Sequence, residues 1–329
     1  MNLRHIWWRI AAIKTPGQAF DAVASELTPY FYRHFQRLNR GVFAIEIVNS
    51  NLGFFAVLNW ALFVLHFCKK QGLVPYLEFT TKNYSDPVLG RDWFKYYFSN
   101  RAMSAAGFAA EYRPWLVTKV RRIRDLRMPG WCFHDLSLEQ AGEIFREYIE
   151  FNPVISTEVE AFVAEHFAGK YVLGVHFRGT DKVVEAPQVA WAYCEQTIRN
   201  FLADHPSVDV LFVASDESRF IQYMLEKFPD IAVVSHQDHF RSDGIKAIHS
   251  LDGGGDNYSK GFDALVNSLL LSKCDALIRS SSFLSAWASI FNPKVPVVLL
   301  NKPLEDALWF PEVEIMKRSL DHYLPDFTE

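Results

Sequence analysis

Within residues 171–182, YVLGVHFRGTDK, an imidazole, a guanidinium, a carboxylate and an ammonium follow one another closely: His176, Arg178, Asp181 and Lys182, with Gly179 and Thr180 among them. They come directly after Tyr171 to Val175, an apolar run with the length and β-branched content of a buried strand. In an open α/β sheet, ligands bind beyond the carboxyl ends of strands. A strand that stops in these groups can hold an anion there. Arg178 suits a phosphate because its planar fork donates two parallel hydrogen bonds. The simpler alternative is a surface turn whose charges pair with one another. The density of polar groups, with no spacer after the strand, favours the anion site.

Two other predicted strands end in polar groups. Asp209 to Ala214 runs into Ser215, Asp216 and Glu217, and Ala276 to Ile278 runs into Arg279, Ser280, Ser281 and Ser282. In a parallel sheet these ends share one edge with His176 and Arg178. The three serines precede Phe283-Leu284-Ser285-Ala286-Trp287, a helical run. A helix amino terminus with free N–H groups and serine hydroxyls is a phosphate seat. It is also an ordinary N-cap, a role serine fills well. No Walker A sequence occurs, no GxGxxG follows a strand, and there is neither an acidic DxD pair nor a clustered His/Asp/Glu ligand set. A bound diphosphate would therefore be neutralised by arginine, lysine and backbone N–H groups, with no metal and no cofactor.

The elements that must position these groups read as two α/β units. In the first, strand 42–48, loop Asn49 to Gly53, apolar helix 54–70 and strand 73–79 open a parallel sheet. Gly53, between strand and helix, stands where a ligand can approach. Residues 80–150 are less regular. Trp93, Phe94, Tyr96, Tyr97 and Phe98 cluster, Trp115 and Trp131 follow, and basic residues gather at Lys119, Arg121, Arg122, Arg124 and Arg127. They fit an acceptor groove, or a core element beside a solvated basic face. Residues 137–167 read as two helices broken at Asn152-Pro153. From Lys170 the pattern alternates cleanly: strand 171–177, helix 190–204, strand 209–214, helix 217–227, strand 231–234, a polar glycine-rich loop 235–256 expected to order over bound donor, helix 261–273, strand 276–278, the serine-led helix, and strand 295–300. The domain division is expected at 1–165 and 166–329.

Composition sets the outer bounds. The 329 residues are 50% apolar and 15% aromatic, enough for a large core. A net charge of −4 argues against a nucleic-acid coat or a polybasic membrane patch. Cys68, Cys132, Cys194 and Cys274 are scattered and form no CxxC pair, as in reduced thiols of a cytoplasmic protein. The first 20 residues lack a signal-peptide core, and Leu52 to Cys68, interrupted by Gly53, Asn59 and His66, reads as a buried helix and not a membrane span. Ile6, Trp7, Trp8 and Ile10 leave room for a peripheral membrane contact.

His176 to Lys182 resembles the HxRRTDK motif of the α1,6-fucosyltransferases, a family that includes the animal core enzyme and the rhizobial nodulation enzyme. The segments LFVASD (211–216) and DALVNSLLLSKCDALIRSSSFLSAWA (263–288) resemble the family's other motifs in order and spacing. The resemblance covers about residues 170–300, and in the first half only the strand–loop–helix at 42–70. It implies two Rossmann-like domains in a GT-B arrangement, parallel sheets with helices on both faces, inversion at the anomeric carbon, no metal, and GDP-fucose as donor. By position it implies that Arg178 holds the β-phosphate, with His176 beside the diphosphate. Ser281 and Ser282 would contact the phosphates, and Gly53 would bring backbone to the nucleotide. Asp181 and Asp216 join the donor site and Lys182 the catalytic set. The family's nucleotide-positioning acid falls at Asn267, which can hydrogen-bond guanine but cannot accept from both N1–H and the 2-amino group as a carboxylate does. The family's second arginine is Gly179. Its acid four residues after the lysine has its nearest counterpart in Glu185, three residues after Lys182, the candidate base for the acceptor hydroxyl. The expected function is fucosyl transfer to a glycan acceptor. Alternatives are a transferase using another nucleotide sugar, or a non-catalytic protein that binds a sugar nucleotide or glycan.

Overall fold

A computed structural model describes residues 42–47, 52–104, 106–107, 118–119, 136–179, 186–236, 256–305 and 308–325. The amino-terminal aromatics, Trp115, Cys132, Trp131, the arginines at 121–127 and most of the glycine-rich loop lie outside the described residues.

The first sheet is built on β1 (Val42–Ile47). Gly53 then leads into α1 (Phe54–Gln71), and Gly72 closes that helix in the left-handed conformation. Every residue from Phe54 to Cys68 is buried. A helix that is apolar all round belongs inside a protein as readily as inside a bilayer, and this one lies in the core. Among the described residues no helix is long and apolar enough to cross a membrane. β2 (Val74–Phe79) runs parallel to β1. A loop then reaches the short α2 (Phe94–Tyr97) and β3 (Phe98–Asn100). β4 (Thr118–Lys119) pairs parallel on the other side of β1, giving the order β2-β1-β4. Trp93, Phe94, Tyr97 and Phe98 are buried, so the aromatic cluster is core.

The predicted helical stretch 137–167 is interrupted. α3 (Leu138–Tyr148) starts on a capping box made by Ser137 and Gln140. It is followed by a strand, β5 (Ile149–Phe151), antiparallel to β3. α4 (Pro153–His166) then begins with proline in its first turn, where the missing N–H costs nothing. Phe162 and Phe167 both pack edge-on against Phe212, so α4 rests on the second sheet.

That sheet alternates strands and helices: β6 (Tyr171–Phe177), α5 (Trp191–Asp204), β7 (Val208–Ser215), α6 (Ser218–Lys227), β8 (Ala232–Val234), α7 (Asn257–Leu271), β9 (Ala276–Arg279), α8 (Phe283–Phe291) and β10 (Val297–Leu299), with α9 (Glu312–Met316) beyond it. All five strands are parallel, in the order β10-β9-β6-β7-β8. The chain starts at β6, builds outward through β7 and β8, then returns to the other side with β9. The order reverses between β6 and β9, and that is where a doubly wound sheet opens a crevice for ligand.

Alternation along β6 divides its side chains between two cores. Leu173, Val175 and Phe177 pack with Ile198, Phe201 and Phe220 of α5 and α6. Val172, on the opposite face, belongs to a core that also holds Leu265 of α7, Ala286 of α8, and Val57 and Leu58 of α1. The first half and this face of the second sheet therefore share one apolar core. His176 lies on the Val172 face, toward the first half.

Candidate functional site

The two loops at the switch point are tied together by backbone geometry. His176 pairs with Arg279 across the sheet. The Ser280 N–H donates to the His176 carbonyl at 3.0 Å, and the Arg178 N–H donates to Ser280 Oγ at 2.9 Å. The structure thus brings His176, Arg178, Ser280, Ser281 and Ser282 to one edge. His176 is 5% exposed and Ser282 fully buried, so both side chains lie beneath the surface at this edge. Ser282 is the N-cap residue of α8, yet its side chain makes no capping bond, and its buried Oγ has no partner among the described residues. The Ser281 N–H is taken by Asn301 Oδ1 at 2.7 Å, and Asn301 Nδ2 donates to the Pro187 carbonyl at 2.6 Å. Asn301 follows β10 and fastens the serine loop to the segment ahead of α5. Nothing in its sequence surroundings marks it.

Arg279 departs from expectation. It was expected among the polar groups presented at the sheet edge, but its guanidinium is fully buried against Glu312 of α9. Period-two alternation puts it on the same face as Leu277, which points into the core shared with the first half. A guanidinium there needs a carboxylate, and Glu312, also fully buried, supplies it. Arg279 Nη1 further donates to the Ser280 carbonyl and Ser285 Oγ, both at 3.1 Å. Its work is to brace the serine loop from beneath.

The β7 end places Ser215, Asp216 and Glu217 beside the loop after β6. The Glu217 N–H donates to Ser215 Oγ at 3.1 Å. The Glu217 carboxyl stands over Gly179: a Cβ built on that glycine would fall 1.7 Å from Oε1. Burial raises the Glu217 carboxyl above its ordinary range, Asp216 adds to the rise, and a side-chain hydrogen bond from Trp191 opposes it. Asn267 is buried in α7, where its Nδ2 donates to the Asp263 carbonyl one turn earlier at 2.9 Å. Asp181, Lys182 and Glu185 lie outside the described residues.

The first half contributes the start of α1. Gly53 gives the helix no side-chain cap. Instead the Phe54 N–H donates to the hydroxyl of Tyr84 at 2.9 Å. Burial pushes the Tyr84 phenol up to about 12, while the Phe54 N–H and the positive charge of Arg178 pull the other way. Sequence reasoning missed this cap, because Tyr84 sits alone in a loop with no motif around it. The halves are joined nearby. Phe55 lies 5.9 Å from Trp287 of α8, and the Tyr97 hydroxyl donates to the Tyr258 carbonyl at 2.6 Å. The edge of the second sheet therefore combines one guanidinium, the start of α8 without a side-chain cap, and serine hydroxyls, an arrangement suited to a phosphorylated ligand.

The family model of nodulation protein Z matches residues 128–312. Nodulation protein Z of Bradyrhizobium diazoefficiens is 30% identical over 178 residues, covering 50% of this chain and 46% of that protein. The Sinorhizobium fredii protein is 29% identical over 162 residues, covering 45% and 48%. The chain spans about half the length of the curated relatives it matches. Two crystal structures of NodZ α1,6-fucosyltransferase, one soaked with GDP-fucose and one co-crystallized with GDP, align with TM-scores of 0.51 and 0.52 at 17% and 16% identity. Each alignment covers 78% of this chain and 94% of the other. The likeness establishes the fold, two Rossmann-like sheets in a GT-B arrangement.

Proposed function

This chain belongs to the nodulation protein Z family, and from that premise we propose that it transfers fucose from GDP-fucose to a hydroxyl of a glycan acceptor, inverting the anomeric centre without a metal. The observation that carries the proposal is the convergence of Arg178 and the Ser280–Ser282 loop at the switch point of the second sheet. In the proposed division of labour, residues 166–329 hold the donor and residues 1–165 face the acceptor. The acceptor oxygen bonds to the anomeric carbon as the bond from that carbon to the phosphate oxygen breaks. Glu185 takes the acceptor proton, and Lys182 completes the catalytic set. Arg178 and the amino terminus of α8 stabilise the charge that collects on departing GDP. His176, Asp181, Asp216, Ser281, Ser282, Asn267 and Gly53 surround the nucleotide.

One observation favours a second reading, a different nucleotide sugar. A carboxylate at position 267 would accept two guanine hydrogen bonds. Here an amide stands there, with its NH2 turned to its own helix. Calorimetry with GDP-, UDP- and dTDP-sugars separates the two readings. The proposal expects GDP-fucose to bind preferentially, and labelled fucose to reach a chito-oligosaccharide in excess EDTA. Preference for UDP or dTDP would support the second reading. Binding of GDP-fucose with neither hydrolysis nor transfer would identify a non-catalytic binding protein. Activity lost in EDTA and restored by Mn²⁺ would overturn the metal-independent mechanism.

A further inference from the structure

From Phe54 to Leu65 the side chains of α1 are aliphatic or aromatic, except for the amide of Asn59. Asn59 is fully buried. A leucine would fill much the same space and would favour both the helix and the burial. The amide instead reaches a distant segment: Nδ2 donates to the Phe310 carbonyl at 3.1 Å, 251 positions away in the sequence. A buried hydrogen bond within an otherwise apolar contact fixes register more than it adds stability.

Phe310 lies in the turn that leads into α9, and this turn holds the serine loop twice. The Trp309 ring lies against Phe283, the first residue of α8, with centroids 4.0 Å apart. Two residues after Phe310, Glu312 pairs with Arg279 at the end of β9. Arg279 in turn donates to the Ser280 carbonyl and Ser285 Oγ. Ser280 Oγ then accepts from the Arg178 N–H. The turn has little room to deform, because Phe310 and Glu312 are fully buried and the Val313 N–H donates to the Trp309 carbonyl at 3.0 Å. A shift of the Phe310 carbonyl must therefore carry Trp309 and Glu312 with it. Named contacts thus lead from the middle of α1, in the first half, to the loop beside Arg178 in the second.

We propose that Asn59 is a positioning residue for the donor site: by fixing the Phe310 carbonyl it sets the turn at 309–312, and through Glu312 and Arg279 it holds the serine loop in register with the first half. The inference rests on the reading of that loop as a donor site. Asn59 acts through other residues and not on the donor itself.

The test measures GDP binding by calorimetry in the wild type, Asn59→Leu, Glu312→Gln and the double variant, at a temperature where circular dichroism shows each folded. Asn59→Leu should weaken GDP binding by about threefold to thirtyfold, the range reached by residues that lack ligand contact. The double variant should bind no more weakly than the weaker single one, because both substitutions release the same turn. A residue with a packing role alone would lower the melting temperature and leave the GDP affinity of the folded protein unmoved. That result, or losses that simply add in the double variant, would overturn the inference and leave the donor reading intact. A wild type that binds no GDP would overturn both. Because Asn59→Leu could fail to fold, a second measurement uses wild-type protein labelled with 5-fluorotryptophan. The ¹⁹F resonance of Trp309, assigned by its absence in Trp309→Phe, should move on adding GDP. No movement at saturating GDP would show that the turn does not sense the donor loop and would equally refute the proposal.

Discussion

Consider the loss of Glu312. Its carboxylate and the Arg279 guanidinium are both fully buried and joined by an ion pair. In Glu312→Ala the guanidinium keeps the Ser280 carbonyl and Ser285 Oγ, each at 3.1 Å, but its charge is left unpaired in an apolar core. Removing one partner of a buried pair costs about 3–5 kcal/mol. Against a total stability of about 5–15 kcal/mol, that is a large fraction. Urea denaturation should show it as a lower midpoint with an unchanged slope. Replacing both groups, Arg279→Met with Glu312→Met, removes the uncompensated charge. It should recover stability to within about 1 kcal/mol of the wild type or exceed it, as buried pairs often allow. Donor binding should not recover with it. The double variant loses the guanidinium that binds the Ser280 carbonyl and Ser285 Oγ, and leaves them only the long Ser285 Oγ contacts to the Ser280 and Ser282 carbonyls, at 3.4 and 3.5 Å, so the loop that receives Arg178 is loosened and GDP affinity should fall severalfold. Two results would refute this account: a Glu312→Ala cost below about 1 kcal/mol, or a double variant as unstable as the single one. Either would mean that the pair does not carry the strand end.

Arg178→Ala should lose a charge-assisted contact to the diphosphate worth roughly 1.5–3 kcal/mol, with turnover falling more than GDP affinity if the contact tightens as GDP leaves. Arg178→Lys should rescue little, for want of the planar fork. Steady-state kinetics and calorimetry on folded variants decide, and wild-type behaviour in Arg178→Ala would move the site elsewhere. A pH effect is expected at the surface. Arg318 donates to both oxygens of Glu139, at 2.8 and 3.2 Å, and that side-chain bond, with the Glu139 N–H and Ser137, lowers the carboxyl to about 2. A depressed carboxyl contributes stability that is whole above its unfolded value and is lost as pH falls through the folded one. The melting-temperature gap between wild type and Arg318→Met should therefore narrow from about pH 6 toward pH 3. The pair is about half exposed, so its worth stays below about 1 kcal/mol. A gap that widens on acidification would contradict the assignment.

The second sheet was legible because each of its main strands is an apolar run followed by polar groups and a helix start, a pattern that repeats from Lys170 onward. The apolar α1 was legible for the same reason, by length and continuity. Short elements were not. β3 and β5 have three residues each and pair antiparallel across fifty positions of sequence, too brief for any period to register. α7 begins at Asn257 and not at 261, because Asp256 caps it through the Ser259 N–H at 2.9 Å. Gly261, which looked like a helix start, lies inside it. Its missing Cβ admits the Tyr97 hydroxyl, which would stand 2.4 Å from such an atom. At the site, the motif residues announced themselves by density. Asn301 and Glu312 did not, because each acts only through contacts with segments distant in sequence. Arg279 was misplaced because composition groups it with the serines, while strand alternation turns it the other way.

The departure at Gly179 carries a last consequence. The family motif has a second arginine here, and the Glu217 carboxylate occupies the space its Cβ would need. With Asp216 beside it, the β7 end adds negative charge close to the loop that offers one guanidinium, Arg178. Gly179→Arg should therefore be tolerated and useful. The obstructing atom is the far end of a flexible side chain. Glu217 can swing aside at the expense of its bond from Trp191, and can then pair with the new guanidinium. Stability should change by less than about 1 kcal/mol, as for partly exposed pairs. The Glu217 carboxyl, no longer opposed only by Asp216, should titrate lower. With the local negative charge offset, GDP affinity should rise a few fold, and the rise should fade at high salt. Calorimetry of Gly179→Arg at low and high ionic strength, beside Glu217→Gln, separates the causes. If Glu217→Gln reproduces the gain, repulsion alone was limiting. If Gly179→Arg folds normally and yet loses GDP affinity, the argument is wrong: the Glu217 carboxylate would then be doing work for the donor that its displacement destroys.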